Sequence, residues 1–595
     1  MTLMHRVRHN APSPPTPLPE RERGGSVGGP RRSLFVACVL ALCSVAPATA
    51  ADSLDLFVTD YLENPAPEQK ALVDRPLRYA IPQEVTLKTA DGKTVRHKSP
   101  RRVTVALQQA GNPRQAKVFA SLGEYEPFSF LLRPKENLEE VFVRPRALAG
   151  PAGTIAADSI ALASVEGFHG GGRDVLVPLG KPWNMAAHST EFFWYTVHVP
   201  DRAQPGVYRG EVAVTSKGRP VGSIAVELEV LPIRLEDPPY ALGLNYSHPK
   251  DPAALDAHLA DMRRHGMTAV APLYDFHLPV QDSDTSQLGD FIERYQRAGF
   301  PAPLYFATPM GLQLSDLAGY GSETDKRWQQ KYLRVMRLLH AETQKHGAPV
   351  LMSIADELTN KGIEGVQIGR RLSRFVFEEL PEITATSDMN GYREVLAMAP
   401  NLNVATFNNG WDGIDHHNDG RQLINVDFLI ELQQKTGAIP WFVNADCGRF
   451  AFGFFFWKMA RYGVRGKVEW YYNLRNERGS LVRTSGTEIF PTLDYERSRE
   501  GIDDLKYLCK LQKLVEKAKA TGRASAARQA AEALLEKIAA SIADDWTAYR
   551  QGGHRFPADG FEVLDPEKAA GMGDFDTVRR ALAERIVELQ NAMRE

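Results

Sequence analysis

The chain changes its hydrophobic period near residue 240. Before that point, apolar and polar residues alternate, as in Phe193 to Val199 and Ile224 to Val230. The segments PGVYRGEVAV and SKGRP add another alternating strand and a tight turn. Alternation with a period of two, broken by short turns rich in glycine and proline, is typical of half-buried strands. We therefore predict an antiparallel β-sandwich domain over residues 51–235.

From about Tyr240 a different unit repeats, consisting of an amphipathic helix, a basic residue, a glycine and a short apolar strand. The junction glycines are Gly266, Gly299, Gly347, Gly437 and Gly463. Glycine readily adopts the left-handed conformation that ends a helix, so these positions predict helix C-termini. Eight apolar strands can be counted up to Asn473. Strands that alternate with helices predict a (β/α)8 TIM barrel for residues 240–515, followed by a helical C-terminal region, 516–595.

Polar residues follow the apolar part of nearly every predicted barrel strand. A polar residue at one strand end is commonly a helix cap. In a barrel, however, the carboxyl ends of all the strands meet at one mouth, where together they would form a polar pocket able to bind hydroxyl groups. Aromatic residues on the last strand would add a stacking surface for a sugar. The predicted substrate-binding residues are Asn245, Asp275, Asp388, Asn408, Asn444, Arg449, Trp470 and Tyr472.

The fourth predicted strand carries the strongest candidate chemistry. The apolar run Val350 to Ala355 ends in two adjacent carboxylates, Asp356 and Glu357. Such a dipeptide is common in surface loops, so its position at a strand end is what makes it a candidate. Paired carboxylates at a barrel mouth indicate glycoside hydrolysis as the first chemistry to consider. We predict Asp356 and Glu357 as the catalytic residues.

The first fifty residues differ in composition from the rest. A segment rich in proline and glycine is followed by Arg31 and Arg32, then by an apolar run, Leu34 to Val45, and then by Ala48-Thr49-Ala50. This order of basic, apolar and small residues is that of a secretory signal peptide, and the apolar run is too short to span a bilayer. We predict a disordered extension and signal peptide over residues 1–50, cleavage near Ala50, a periplasmic or extracellular location and no stable membrane insertion.

Charge and cysteine content exclude several classes of partner. The whole chain has a net charge of −2, and loss of residues 1–50, with six arginines and two glutamates, changes it to −6. Without a basic stripe, nucleic acid is not an expected partner. Two of the four cysteines lie in the predicted signal peptide, which leaves too few for a disulfide framework. The pair His416-His417 lacks zinc-site spacing, so we expect neither a metal nor a cofactor.

Several segments together resemble glycoside hydrolase family 123 and a wider group of bacterial proteins that share its sandwich and barrel. They are GEYEPFSFLLRPKENLEEVFV, PDRAQPGVYRGEVAV, the central Asp-Glu pair, GRFAFGFFFWKMARYGV and SREGIDDLKYL, within residues 115–515. The resemblance implies an exo-acting, retaining β-N-acetylgalactosaminidase that uses the 2-acetamido group of its substrate as the nucleophile. It implies that Asp356 orients the acetamide and that Glu357 is the general acid/base. The charged residues of REGIDDLKYL are expected to form ion pairs.

Adjacent carboxylates suit this mechanism because a nucleophile supplied by the substrate makes a carboxylate on the opposite face of the sugar unnecessary. Two alternatives remain. The first is a glycosidase acting on other hexosides, with Asp446 or Glu469 as a protein nucleophile. The second is a carbohydrate-binding protein without activity. The predicted partner is in each case a carbohydrate, an oligosaccharide or glycoconjugate.

The signal-peptide hypothesis predicts that the exported protein begins near Ala51. N-terminal sequencing of the product recovered from the periplasm or the medium measures this directly. A mature protein that begins before Leu34 would contradict the prediction.

Overall fold

The computed structural model describes a large part of the chain. The described residues are 54–59, 77–80, 85–88, 94–97, 102–105, 114–151, 153–166, 175–189, 191–272, 285–306, 322–408, 421–473, 480–549 and 575–594. The predictions for residues 1–50, Asp275 and His416-His417 lie outside them. No helix within the described ranges is long and apolar enough to cross a membrane.

The described residues of the N-terminal region form mainly β-strands. Their bounds are β1 (Leu54–Thr59), β2 (Leu77–Ala80), β3 (Val85–Lys88), β4 (Thr94–His97), β5 (Arg102–Val105), β6 (Gln115–Leu122), β7 (Tyr125–Pro134), β8 (Leu138–Pro145), β9 (Leu148–Gly150), β10 (Gly153–Ile155), β11 (Ile160–Glu166), β12 (Val175–Pro178), β13 (Trp183–Met185), β14 (Glu191–His198), β15 (Gly206–Ser216) and β16 (Arg219–Arg234). One sheet has the order β1-β7-β14-β11-β12, and another has β10-β9-β15-β16-β6, with β8 beside β15 and β13 beside β8. The predicted sandwich is confirmed, although β6 pairs with β16 in parallel.

Strand β14 shows how both faces of the first sheet are covered. Phe193, Tyr195 and Val197 point into a core formed by side chains of both sheets. Their neighbours Phe192 and Trp194 are also buried, on the opposite face, in a cluster that includes Leu493 from beyond the barrel. The sandwich therefore packs against the C-terminal part of the chain as well as on itself.

The predicted barrel is confirmed. Its strands are β17 (Ala241–Tyr246), β18 (Ala271–Pro272), β19 (Leu304–Phe306), β20 (Val350–Asp356), β21 (Ala385–Met389), β22 (Val404–Phe407), β23 (Ile439–Val443) and β24 (Gly466–Glu469). Parallel pairing gives the order β18-β17-β24-β23-β22-β21-β20-β19. Two backbone hydrogen bonds join the ends of this order, from Ala302 N to Thr268 O and from Tyr305 N to Val270 O, each 3.1 Å.

Helices follow the barrel strands. They are α1 (Pro252–Arg264), α2 (Ser286–Arg297), α3 (Lys326–Lys345), α4 (Gly362–Glu379), α5 (Tyr392–Met398), α6 (Val426–Thr436), α7 (Arg449–Phe452) and α8 (Phe454–Ala460). All five junction glycines have the predicted left-handed backbone, with φ between 60° and 95°. Inside the barrel, Trp441 stacks on Tyr305 with ring centroids 6.3 Å apart. A side chain at Gly466 would collide with the Trp441 ring, so this glycine makes room for the indole.

The C-terminal region is helical, as predicted. After a hairpin of β25 (Val482–Ser485) and β26 (Glu488–Pro491) come α9 (Leu493–Thr521), α10 (Ser525–Ser541) and α11 (Phe575–Ala592). The chain boundaries predicted for the individual domains stay predictions, although β16 ends at Arg234 and β17 begins at Ala241.

A buried ion network joins the three regions. Asp504 of α9 accepts hydrogen bonds from Arg449 of α7 (2.7 and 3.2 Å) and from Arg579 of α11 (2.6 Å). Arg579 also contacts Glu500, at 2.9 Å, and Glu126 of the sandwich, at 3.4 Å. The ion pairs expected for the REGIDDLKYL segment are thus confirmed. The network extends across all three parts of the chain.

Burial raises the pKa of several acids around this network. Desolvation raises the pKa of Glu124 to about 8, an effect that Asp503 increases and Arg579 opposes. Desolvation likewise raises the pKa of Glu500 to about 7. Ser121 N donates to Glu124 at 2.6 Å, and the Tyr507 hydroxyl donates to it at 2.8 Å. Both carboxyl groups therefore retain a proton more readily than a glutamate in water does.

We expect Asp504→Asn to lower the free energy of unfolding by about 3–5 kcal/mol, because it leaves two buried arginines short of a charge partner. The matched control is Asp201→Asn, which removes an exposed ion pair with Arg234 and should cost at most about 1 kcal/mol. Urea unfolding followed by fluorescence measures both. Equal effects of the two substitutions would contradict the role given to the buried network.

Candidate active site

The Asp-Glu pair lies where β20 leaves the barrel. Strand residues Leu351 to Ala355 are buried, whereas Asp356 is exposed and Glu357 is half-buried. Glu357 has φ 45° and ψ 51°, a left-handed conformation that is uncommon outside glycine. Its backbone N–H donates to Asp388 O on the neighbouring strand at 2.9 Å. The turn therefore gives the two adjacent carboxylates different directions and different exposure.

A buried glutamate supports this turn from behind. Glu394 of α5 has no exposed surface, and its Oε2 accepts from Asn390 N at 2.9 Å and from the Thr359 hydroxyl at 3.3 Å. Burial raises the pKa of Glu394 to about 7, while hydrogen bonds from the 358–359 backbone and from Asn390 act in the opposite direction. Gly369 lets the turn approach α4, because a side chain there would meet Met398 and Leu358.

Asp388 lies at the end of β21, beside the pair. The register of the two parallel strands aligns Asp388 with Asp356. The hydroxyl of Tyr305, which rises from the barrel interior, donates to Asp388 Oδ1. Burial raises the pKa of Asp388 well above its usual value, and the nearby charge of Asp356 raises it further. Asp388 is thus a predicted substrate-binding residue that lies on the strand next to the catalytic candidates.

The end of the next strand, β22, also carries a polar side chain. Asn408, after β22, is buried and donates through Nδ2 to Asn390 Oδ1 at 2.6 Å. Asn390 in turn is bonded to Glu394, so a chain of hydrogen bonds connects the end of β22 to the turn below Glu357. Asn245 continues the alternation of the interior residue Ala241 on β17, and Trp470 directly follows the last residue of β24. Asn245 is buried and Trp470 is half-buried.

On β23 and β24 a second turn with unusual backbone is held by a buried glutamate. Asn444 and Asp446 have φ 51° and 98°. Glu469 accepts from the backbone N–H groups of Ala445 at 2.9 Å and Asp446 at 3.2 Å, and it pairs with Lys467. The Asn444 Oδ1 atom is buried without a hydrogen-bond partner among the described residues. The ends of β23 and β24, opposite the Asp-Glu pair, thus contribute amide and backbone groups to the mouth of the barrel.

The structure gives two of the predicted substrate-binding residues a structural role instead. Arg449 is buried, and its guanidinium is bonded to Asp504 and Asp576, so it links helices and does not face a sugar. Tyr472 has no exposed surface, and its hydroxyl donates to Asp261 of α1 at 2.9 Å. Sequence patterns could not separate these roles, since both residues follow strands that end at the mouth.

Sequence reasoning missed three residues that shape the site. Tyr305 and Lys467 lie inside apolar strands. A tyrosine or a lysine among hydrophobic residues was the sequence feature that could have identified them. Glu394 lies in a short helix and carried no distinguishing pattern, because an acidic residue in a first helical turn is a common favourable partner of the helix dipole. Its burial becomes visible only once α5 is packed against β21.

Comparison with known proteins identifies the fold. The sequence matches no protein-family profile and no curated protein. Among solved structures, a family 123 glycoside hydrolase from Clostridium perfringens, studied for glycolipid glycan hydrolysis, aligns with a TM-score of 0.59 at 12% identity. The alignment covers 91% of this chain and 100% of that one. A family 39 glycoside hydrolase from Bacteroides cellulosilyticus aligns with a TM-score of 0.35 at 12% identity, over 60% of this chain and 81% of that one.

The chain therefore has the sandwich and barrel architecture of a glycoside hydrolase fold. Within that class its fold resembles that of family 123, as the sequence segments indicated.

Proposed function

We propose that the protein is a glycoside hydrolase that removes terminal N-acetylhexosamine, as an exo-acting, retaining β-N-acetylgalactosaminidase. The observation that carries the proposal is the adjacent pair Asp356–Glu357 at the carboxyl end of β20, in a barrel with the fold of family 123. The carboxyl ends of barrel strands are where such enzymes place their chemistry. The substrate is a carbohydrate, either an oligosaccharide or a glycoconjugate, and no cofactor is required.

The two carboxylates have unequal duties in the proposed mechanism. Asp356, as an anion, accepts the N–H of the 2-acetamido group and directs its carbonyl oxygen at the anomeric carbon. Glu357 donates its proton to the glycosidic oxygen as that bond breaks, and a bicyclic oxazolinium ion forms. Glu357 then accepts a proton from the water that opens this ring, which restores the acid and retains the anomeric configuration.

The opposite wall of the barrel supports a nucleophile supplied by the substrate. Glu469, one of the two alternative protein nucleophiles, is fully buried and bound to Lys467 and to two backbone N–H groups. A carboxylate held in this way is not available to attack a sugar. Asp446, the other alternative, is half-buried, and its Oδ1 accepts from the adjacent Cys447 N at 2.7 Å.

We also propose that the enzyme acts outside the cytoplasm. The order of basic, apolar and small residues before Ala51 supports export, and the periplasm or the medium would expose the enzyme to glycoconjugates.

Replacing the acid/base should slow the reaction in a way that depends on the leaving group. For Glu357→Gln we expect a loss of about 10²–10⁴ in kcat/KM on N-acetylhexosaminides with poor leaving groups, because the amide cannot donate the proton. Activated aryl glycosides should lose far less in the first step. Steady-state kinetics on a series of aryl glycosides measures the difference. A loss that is equal for all leaving groups would contradict the role of Glu357.

Asp356→Asn should slow the reaction irrespective of the leaving group, since it weakens attack by the acetamide in every case. We expect the same substitution to weaken binding of a thiazoline analogue of the N-acetyl sugar, which mimics the cyclic intermediate. Inhibition constants for wild type and variant measure this effect, and Glu357→Gln serves as the matched control. Unchanged turnover in Asp356→Asn would show that the dipeptide is only a strand end.

A further inference from the structure

Four carboxyl groups are concentrated around the end of β20. Asp356 and Glu357 lie on the turn, Asp388 is the cross-strand neighbour of Asp356, and Glu394 lies beneath them. Neighbouring strands are separated by only about 5 Å, so charges at aligned positions interact strongly. Within the described part of the chain, no lysine or arginine forms an ion pair with Asp388. Ionisation of Asp388 beside these acidic neighbours would therefore be unfavourable.

The contacts of Asp388 differ from those of a sugar-binding carboxylate. Its Oδ1 accepts from the hydroxyl of Tyr305, a side chain that is 1% exposed and stacked on Trp441 inside the barrel. The backbone carbonyl of Asp388 accepts from Glu357 N. One carboxyl oxygen and the main chain are thus fixed from within the protein, and the strand register aligns Asp388 with Asp356.

We propose that Asp388 is a positioning residue, a neutral carboxylic acid that donates its proton in a hydrogen bond to Asp356. Asp356 then carries the negative charge of the aligned pair and presents its other oxygen to the acetamide N–H. The contact between Asp356 and the acetamide rests on the proposed function, whereas the hydrogen bond between Asp388 and Asp356 does not. It replaces the sequence prediction that Asp388 binds substrate directly.

The charge balance of the reaction favours this assignment. When Glu357 gives its proton to the leaving group, two carboxylates, Asp356 and Glu357, face one oxazolinium cation. An ionised Asp388 would add a third negative charge and would favour retention of the proton on Glu357. The titratable groups that face Asp388 are Tyr305, Asp356, Glu357 and Glu394. Desolvation and these acidic neighbours raise the pKa of Asp388, in agreement with a neutral form.

The test compares Asp388→Asn with Asp388→Ala. Asparagine keeps an acceptor for Tyr305 and a donor for Asp356, so it should lower kcat by less than about tenfold. Alanine removes the hydrogen bond to a charged group and should lower kcat by about 10-fold to 100-fold, with little change in KM. In an Asp356→Asn background the alanine substitution should have almost no further effect, because Asp388 acts through Asp356. Thermal unfolding of each variant checks that it folds.

Infrared spectroscopy gives a readout that needs no substrate. The difference spectrum between wild type and Asp388→Asn at neutral pH should contain the carbonyl stretch of one protonated carboxyl group. Absence of that band would overturn the proposal, as would an asparagine variant as slow as the alanine variant or an effect confined to KM. Failure of the proposed function would appear elsewhere, as wild-type activity that does not require a 2-acetamido group.

Discussion

The arrangement of the chain depends on Asp504, which lies between two buried arginines. Arg449 comes from the helix that follows β23, and Arg579 comes from the last helix and reaches Glu126 of the sandwich. Ion pairs of this kind add little net stability compared with apolar residues of equal volume, since desolvation offsets most of the attraction. They are costly to break, however, so a different arrangement of sandwich, barrel and tail would leave charges buried without partners. The network thus selects one arrangement.

Buried acidic side chains also hold the structure together at the mouth of the barrel. Glu394 holds the turn that carries Asp356 and Glu357, and Glu469 holds the turn after β23. In both turns, residues other than glycine have positive φ, which is unfavourable and persists where the surroundings impose it. The hydrogen bonds from each turn to its buried glutamate hold the two sides of the site in a fixed conformation. Asp388 and Tyr305 extend this support from the barrel interior to the catalytic candidates.

Much of the fold could be predicted from the sequence because it follows from local periodicity. The change of period near residue 240 and the five left-handed glycines fixed the sequence of strands and helices, and strand position alone indicated Asp356 and Glu357. The side-chain roles around them could not be predicted, because they depend on which residues of distant elements meet. Tyr472 follows β24 as Trp470 does, yet its hydroxyl donates to Asp261 of α1 in the core. Arg449 likewise meets Asp504, which lies 55 residues away along the chain.

The central claim is that the substrate supplies its own nucleophile next to Asp356. The most direct measurement compares kcat/KM for aryl 2-acetamido glycosides in which the acetyl group bears none, one, two or three fluorine atoms. Fluorine withdraws electrons from the amide oxygen, so rates should fall steeply with each added fluorine, and the matching 2-hydroxy glycoside should be almost inert. Rates that are independent of fluorine, or equal hydrolysis of the 2-hydroxy glycoside, would contradict the account and require a nucleophile from the protein.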